Sequence, residues 1–337
     1  MAGEYVGIDL HRRRSVIVRH GARGEVLDTV RIDNDPLELA DAIGACGPNP
    51  EVVLEATYGW YWAADVLADA GARVHLAHPL GIKGFAYRRV KNDVRDAGDL
   101  ADLLRMGRLP EAWVAPPAVR ELRELVRYRH KLVGLRSGLK AQVHSVLAKE
   151  GVAVPVSDLF GVAGTRLLEE LELADAYALR VASLRELIGH VDEEVRTLDD
   201  VISRELRDHP GHRAIRALPG VGPVLGAVFV AEIGDVTRFA RPEQLASWAG
   251  LTPRHRESDT TVHRGGITKQ GSRLVRWAAV EAVARNRGAT ALQVHYHRVA
   301  ERRGRKIGRV AAARKLLTLV FYGLRDHEIR ALAEAAS

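Results

Sequence analysis

EYVGIDLHRRRSVIVRHGARGEVLDTVRI, residues 4–32, decides how the chain begins to fold. Three segments in it, 4–9, 15–20 and 25–32, are rich in β-branched residues and carry the short apolar runs of strands. The last two are joined by the turn Gly21-Ala22-Arg23-Gly24. Working outward, a short helix follows Pro36, EVVLEA (51–56) reads as a fourth strand, 58–70 as a helix and ARVHLAHP (72–79) as a fifth strand. Asn92 or Asp93 then caps a helix running to about Met106. A three-strand meander followed by alternating helix and strand predicts an α/β layer on a mixed sheet.

That order is the one found in ribonuclease-H-like folds, in which the first and fourth strands are neighbours. Asp9 ends the first strand and Glu55 the fourth, each after apolar residues, so both carboxylates face one pocket. A carboxylate ending a buried strand is costly unless paired or bound to metal. Asp93 and Asp96, three apart at a helix start, share a helical face. Four oxygen donors suit a hard cation, Mg²⁺ or Mn²⁺, that also binds phosphate oxygens. Taken singly, Asp93 reads equally as a helix cap, Asp96 as a solvated surface residue, and Glu55 as the partner of a nearby arginine. The actin-like ATPases share the Gly-Ile-Asp start but follow it with a small-residue phosphate loop. Here Leu10-His11-Arg12-Arg13-Arg14 leaves no such cradle, and no P-loop occurs elsewhere.

The rest of the chain changes character twice. Leu125, Leu132, Leu139 and Val146 recur every seven residues, and Leu184, Ile188, Val191, Val195, Leu198 and Ile202 form a second stripe after a Gly/Pro/Val-rich break. Both stripes fit a helical coiled coil, formed within the chain or between subunits. The expected division is a domain over 1–112, a helical connector over 113–210 and a mainly α domain over 211–337. In the last, LPGVGP (218–223) looks like a helix-hairpin-helix turn, with Gly220 and Gly222 able to approach a phosphate; a plain helix turn reads equally well. Residues 249–277 read as a loop rich in donors, with Ser258 beside Arg254, Arg256 and His263, and Lys269, Arg273 and Arg276 downstream. A serine becomes a nucleophile only when activated and when cations hold its phosphate. Residues 302–315 hold seven further Lys or Arg.

The 337 residues carry a net charge of +7 and a pI near 9.7, which favours a polyanionic partner. Cys46 is the only cysteine, which excludes an internal disulfide framework and fits a reducing compartment. No apolar run spans a bilayer, and the N-terminus enters a strand pattern with no signal peptide. The expectation is a cytoplasmic, nucleoid-associated protein with no membrane partner.

GIDLH (7–11), LEATYGWYWAADVLADAGARVHLAHP (54–79), KNDVRDAGDLADLL (91–104), LPGVGPVLGAVFVAEIGD (218–235), AGLTPRHRES (249–258) and ITKQGSRLVRWA (267–278) together resemble a known family. It is the DEDD-type transposases of insertion sequences, described as bridge-RNA-guided recombinases. The resemblance implies a resolvase-like N-terminal domain with its Asp-Glu-Asp-Asp set at Asp9, Glu55, Asp93 and Asp96, a coiled-coil connector, and a C-terminal domain with its nucleophile at Ser258. It further implies a homodimer or homotetramer with composite active sites, and an element-encoded guide RNA pairing with donor and target DNA. Two departures stand out: Asp259 follows the serine where the family commonly has glycine, and Lys91-Asn92-Asp93 replaces Lys-Thr-Asp. The alternatives are a resolvase-like metal-dependent nuclease that uses water, and a non-catalytic nucleic-acid-binding scaffold.

Overall fold

A computed structural model describes residues 3–85, 92–259 and 261–330, the side chains of Val262 and Arg264 excepted. Lys91 and Thr260, both in stretches read above, lie outside the described residues. The chain divides after Ala115 into two compact units.

In the first, β1 (Tyr5–Leu10), β2 (Arg14–His20) and β3 (Val26–Asp33) form the meander. Then come α1 (Pro36–Gly44), β4 (Glu51–Glu55), α2 (Trp60–Asp69), β5 (Arg73–Ala77), the single turn α3 (Pro79–Ile82), α4 (Asp93–Arg105) and β6 (Glu111–Ala112). The sheet order is β3-β2-β1-β4-β5-β6. The meander is antiparallel, β1 pairs β4 and β4 pairs β5 in parallel, and β6 returns antiparallel. The mixed sheet agrees with the sequence reading. β6 is an addition, because two residues carry no periodicity to read.

Alternation along the strands sorts the core onto two faces. Val6, Ile8, Val52 and Leu54 pack with Leu39 and Ile43 of α1 and Ala63 and Leu67 of α2. Val53 packs on the opposite face with Leu100 of α4, and Val16 and Val18 with Ala97. Gly7, between Val6 and Ile8, makes the second face possible, since a Cβ there would stand 1.8 Å from the Ala97 carbonyl oxygen. The backbone of α4 therefore lies directly on β1, which delivers the first turn of α4 to the sheet.

The second unit opens with α5 (Pro117–Lys149), followed by α6 (Val162–Glu170) and α7 (Asp175–Glu205). The two apolar stripes face each other within the chain: Leu132, Leu139, Val143 and Val146 of α5 share a core with Leu184, Ile188, Val191, Val195 and Leu198 of α7. Arg129 to Asp199 and Arg136 to Asp192 are ion pairs whose numbering runs in opposite directions along the two helices, so the pair is antiparallel. Next are α8 (Pro210–Arg216), α9 (Pro223–Ile233), a 3-10 turn (Val236–Arg238) and α10 (Pro242–Trp248). β7 (Pro253–Ser258) and β8 (Thr261–Ile267) precede α11 (Arg273–Arg285), α12 (Ala291–Arg303) and α13 (Arg305–Asp326). Every residue of α9 from Leu225 to Ile233 is buried, and the core around it includes Val275, Ala278 and Ala282 of α11 and Leu316, Val320 and Phe321 of α13. The predicted loop over 249–277 is instead a two-stranded antiparallel ribbon, a short connection and the start of α11. Among the described residues no helix is long and apolar enough to cross a membrane.

Candidate functional site

Asp9 lies one position beyond the last β1–β4 register pair, Ile8 with Leu54, and Glu55 holds the corresponding place on β4. The sheet therefore sets the two carboxylates at adjacent strand ends. Asp9 is mostly enclosed, its side chain 17% exposed, and its Oδ2 lies 3.1 Å from His11 Nε2. The same imidazole nitrogen lies 3.4 Å from Asp93 Oδ1 on α4. One ligand atom from each of Asp9, His11 and Asp93 lies within 4.8 Å of the other two. Asp93 and Asp96 both occupy the first turn of α4, where the helix dipole favours negative charge. The cap itself is Asn92, whose Oδ1 accepts from the Val94 amide at 3.0 Å. Asp93 is thus not consumed as a cap, and its carboxylate is held toward Asp9 through His11.

His11 is the residue that sequence reading missed. In the sequence it stands in the bulky stretch that rules out a phosphate loop and at the end of GIDLH, with nothing there that assigns it a ligand role. Its spacing from Asp9 is the available signal, because residues two apart at a strand end both reach the same rim. One imidazole nitrogen and two carboxylates form a donor set suited to a divalent cation of the Mn²⁺ or Mg²⁺ kind.

In the second unit, β7 is exposed along its whole length. Ser258 pairs with Thr261 and Arg256 with His263 across the ribbon. Alternation puts Ser258 and Arg256 on one face, with Thr261 and His263 beside them. Arg254 is two residues further back, but a register irregularity lies between Pro253 and His255. Asp259 turns the chain with φ +50°. This left-handed conformation suits glycine and is tolerated by aspartate, which accounts for the departure noted after the serine.

Lys269, also left-handed at φ +58°, is exposed in the connection to α11. Arg273, the first residue of α11, is exposed as well. Arg276 is engaged differently. Its Nη1 donates to the carbonyls of Ala249 (2.7 Å) and Gln270 (3.0 Å), tying the ribbon's entry to its exit. Burial, and then Arg273, hold its pKa below the usual guanidinium value. Ser272 caps α11 and donates to Glu232 Oε2 at 2.9 Å. Glu232 is buried on α9 and also receives Arg127 of α5, Nε to Oε1 at 2.6 Å and Nη2 to Oε2 at 3.2 Å. This buried carboxylate joins α5, α9 and α11 beneath the basic connection.

The two glycines of LPGVGP serve different ends. A Cβ on Gly220 (φ +87°) would stand 2.1 Å from the Ala282 carbonyl oxygen, so it is required for α11 to pack there. A Cβ on Gly222 would meet open space at the start of α9.

The structure thus brings Asp9 and Asp93 together around His11, with Glu55 on the adjacent strand end and Asp96 in the same helical turn as Asp93. It places Ser258 on one ribbon face with Arg256, in the other unit. Residues 6–150 match the model of a DEDD transposase, and residues 212–296 match the model described as the IS116/IS110/IS902 transposase family. The chain is similar to a Sinorhizobium fredii protein named transposase y4qE, 30% identical over 82% of this chain and 70% of that protein. It is also similar to a family 20 transposase by name from Pseudomonas aeruginosa (28%, 64% of each) and to the transposase for insertion sequence element IS1328 of Yersinia enterocolitica (23%, 82% and 81%). The chain belongs to the IS110/IS116/IS902 family of DEDD-type insertion-sequence transposases.

Proposed function

We propose that this transposase is an RNA-guided recombinase that joins donor and target DNA through Ser258, assisted by a divalent cation at the carboxylate cluster. The observation that carries the reading is the exposed β7, which presents the Ser258 hydroxyl on the same face as the Arg256 guanidinium with His263 across the ribbon. A serine on a strand that contributes no buried residue is poorly explained by folding, and well explained by a phosphodiester that docks against it.

Asp9, Asp93 and His11 would hold the cation, with Glu55 and Asp96 completing its surroundings. When bound, it supplies positive charge to phosphate oxygens and lowers the pKa of an attacking hydroxyl. Arg254, Arg256, Lys269 and Arg273 bind backbone phosphates, while Arg276 keeps the ribbon's two ends together. Gly222 leaves the start of α9 open to another phosphate. In the step itself the Ser258 Oγ–P bond forms and the bond from phosphorus to the leaving deoxyribose oxygen breaks. The serine proton is given up and the leaving oxygen takes a proton, ending as a free hydroxyl. Reversal with the exchanged strand restores the serine and joins the DNA. Base pairing by an element-encoded RNA supplies sequence choice, with the protein reading helical shape. The expected assembly is a homodimer or homotetramer.

The test incubates the protein with guide RNA, donor DNA and Mg²⁺ and follows DNA attached covalently to protein. Attachment is expected in the wild type and absent in Ser258→Ala and Asp9→Asn. Protein-free cut products with Ser258→Ala would instead mean that water is the nucleophile. Salt-sensitive binding without any cleavage would mean a scaffold.

A further inference from the structure

We infer that the corner where α12 meets α13 is a second surface for duplex DNA, which grips phosphodiester backbone through side chains other than those around Ser258. Residues 287–325 contain ten Lys or Arg against a single carboxylate, Glu301. Arg302 and Arg303 end α12, Gly304 makes the turn, and Arg305, Lys306 and Arg309 begin α13, all of them exposed.

Folding alone would not favour this pattern. The first turn of α13 holds no acidic residue, and its cations sit at the positive end of the helix dipole, where Asp or Glu would be stabilising. Elsewhere in the same unit arginines are matched to carboxylates, Arg129 to Asp199 and Arg185 to Glu169 among them. Among the described residues, none of the five corner cations has an ion-pair partner. The corner is also firmly built. A Cβ on Gly308 would stand 2.9 Å from the Tyr296 carbonyl oxygen and from the Ala300 Cβ, so the start of α13 lies directly on α12. Closely packed helices fix the backbone positions from which the cations project, so binding requires no ordering of the backbone. The positive field reaches inward as well: His295 is held below the usual imidazole range by burial first, then by Lys315 and Arg298.

An array of unmatched cations, two of them (Arg305 and Lys306) at the positive end of the α13 dipole, fits a polyanion with closely spaced charges, and duplex DNA offers one about every 1.7 Å along its axis. The inference goes beyond the serine chemistry and stands without it. The test uses the full-length protein with Arg303→Gln, Arg305→Gln and Arg309→Gln combined, titrated with salt against a blunt DNA duplex and, separately, a hairpin RNA. The slope of log affinity against log salt should shrink by about 0.9 per lost duplex contact, or about 2.7 for three. The melting temperature should stay close to the wild-type value, since Arg305→Gln removes a repulsion from the α13 dipole while Arg303→Gln removes an attraction to that of α12. A slope change on the duplex supports the inference, and one confined to the hairpin RNA overturns it. Unchanged slopes on both probes overturn the inference, as does an equal loss in the charge-retaining triple Arg→Lys variant. Ser258→Ala, with no corner charge altered, should keep the wild-type slope, so failure of the serine mechanism is read separately by covalent attachment.

Discussion

Asp259 turns the ribbon at φ +50°, and its side chain chemistry decides what can replace it. Asp259→Gly should leave hydrogen-exchange protection of the ribbon amides unchanged or raised, since glycine adopts this conformation freely. Asp259→Val should lower that protection, because a β-branched residue is strained there by about 1–2 kcal/mol. His11 bridges Asp9 and Asp93 and offers the third ligand atom, so His11→Ala should weaken Mn²⁺ binding, read by calorimetry, by at least the roughly ten-fold that even an outer-shell partner contributes. His212 is buried, with Nε2 3.3 Å from the Pro223 carbonyl oxygen. Burial, with a smaller push from Arg216, holds it below the ordinary value of 6.5. Above about pH 6.5 the imidazole is neutral in both folded and unfolded chains, and nothing is lost. Below it the unfolded chain takes up the proton first, so stability falls with pH toward the lowered folded value. His212→Gln should flatten the drop in melting temperature between about pH 7 and pH 5. Of the candidate site residues, Asp9 and Glu55 were legible because each closes an apolar run, and Asp93 and Asp96 because they share a face at a helix start. His11 was not, because its neighbours are cationic and no periodicity singles it out.

At the level of elements, α4 is positioned by the absence of a side chain. Gly7→Ala would drive a Cβ into the Ala97 carbonyl and should cost about 1–3 kcal/mol, as overpacking does, with a parallel loss of Mn²⁺ affinity. Glu232 has the opposite character, a buried group that must keep its partners. Glu232→Ala removes an acceptor from each of Ser272 and Arg127, and half of the Arg127 side chain is open to water. The expected cost is about 2 kcal/mol, below the range for fully buried pairs, read as a lower melting temperature. The meander and the β1–β4 pairing were legible because β-branched runs and turn residues alternate cleanly. The ribbon was not: PRHRES is polar at every position after Pro253, so no face announces itself, and β7 exists through pairing with β8 alone. The helix stripes were legible, but not their partner, since one heptad pattern suits a seam within a chain or between two. The shared core of α5 and α7 shows the seam closed within the chain.

Over the whole molecule, two compact units with separate cores predict two unfolding transitions in calorimetry. Gly7→Ala should move one and Glu232→Ala the other; a single transition displaced by both would refute the separation. The ribbon adds a consequence of its own. Its base is held by Leu251 and the partly buried Ile267, yet β7 contributes no buried residue, and a lone hairpin is marginal in water. The hydroxyl of Ser258 therefore rides on a weakly anchored element. Under the proposed serine mechanism a strand that failed to clamp the ribbon would leave the hydroxyl unaimed, so idle encounters with bulk DNA would end harmlessly and fidelity would be decided by ordering before any bond is broken.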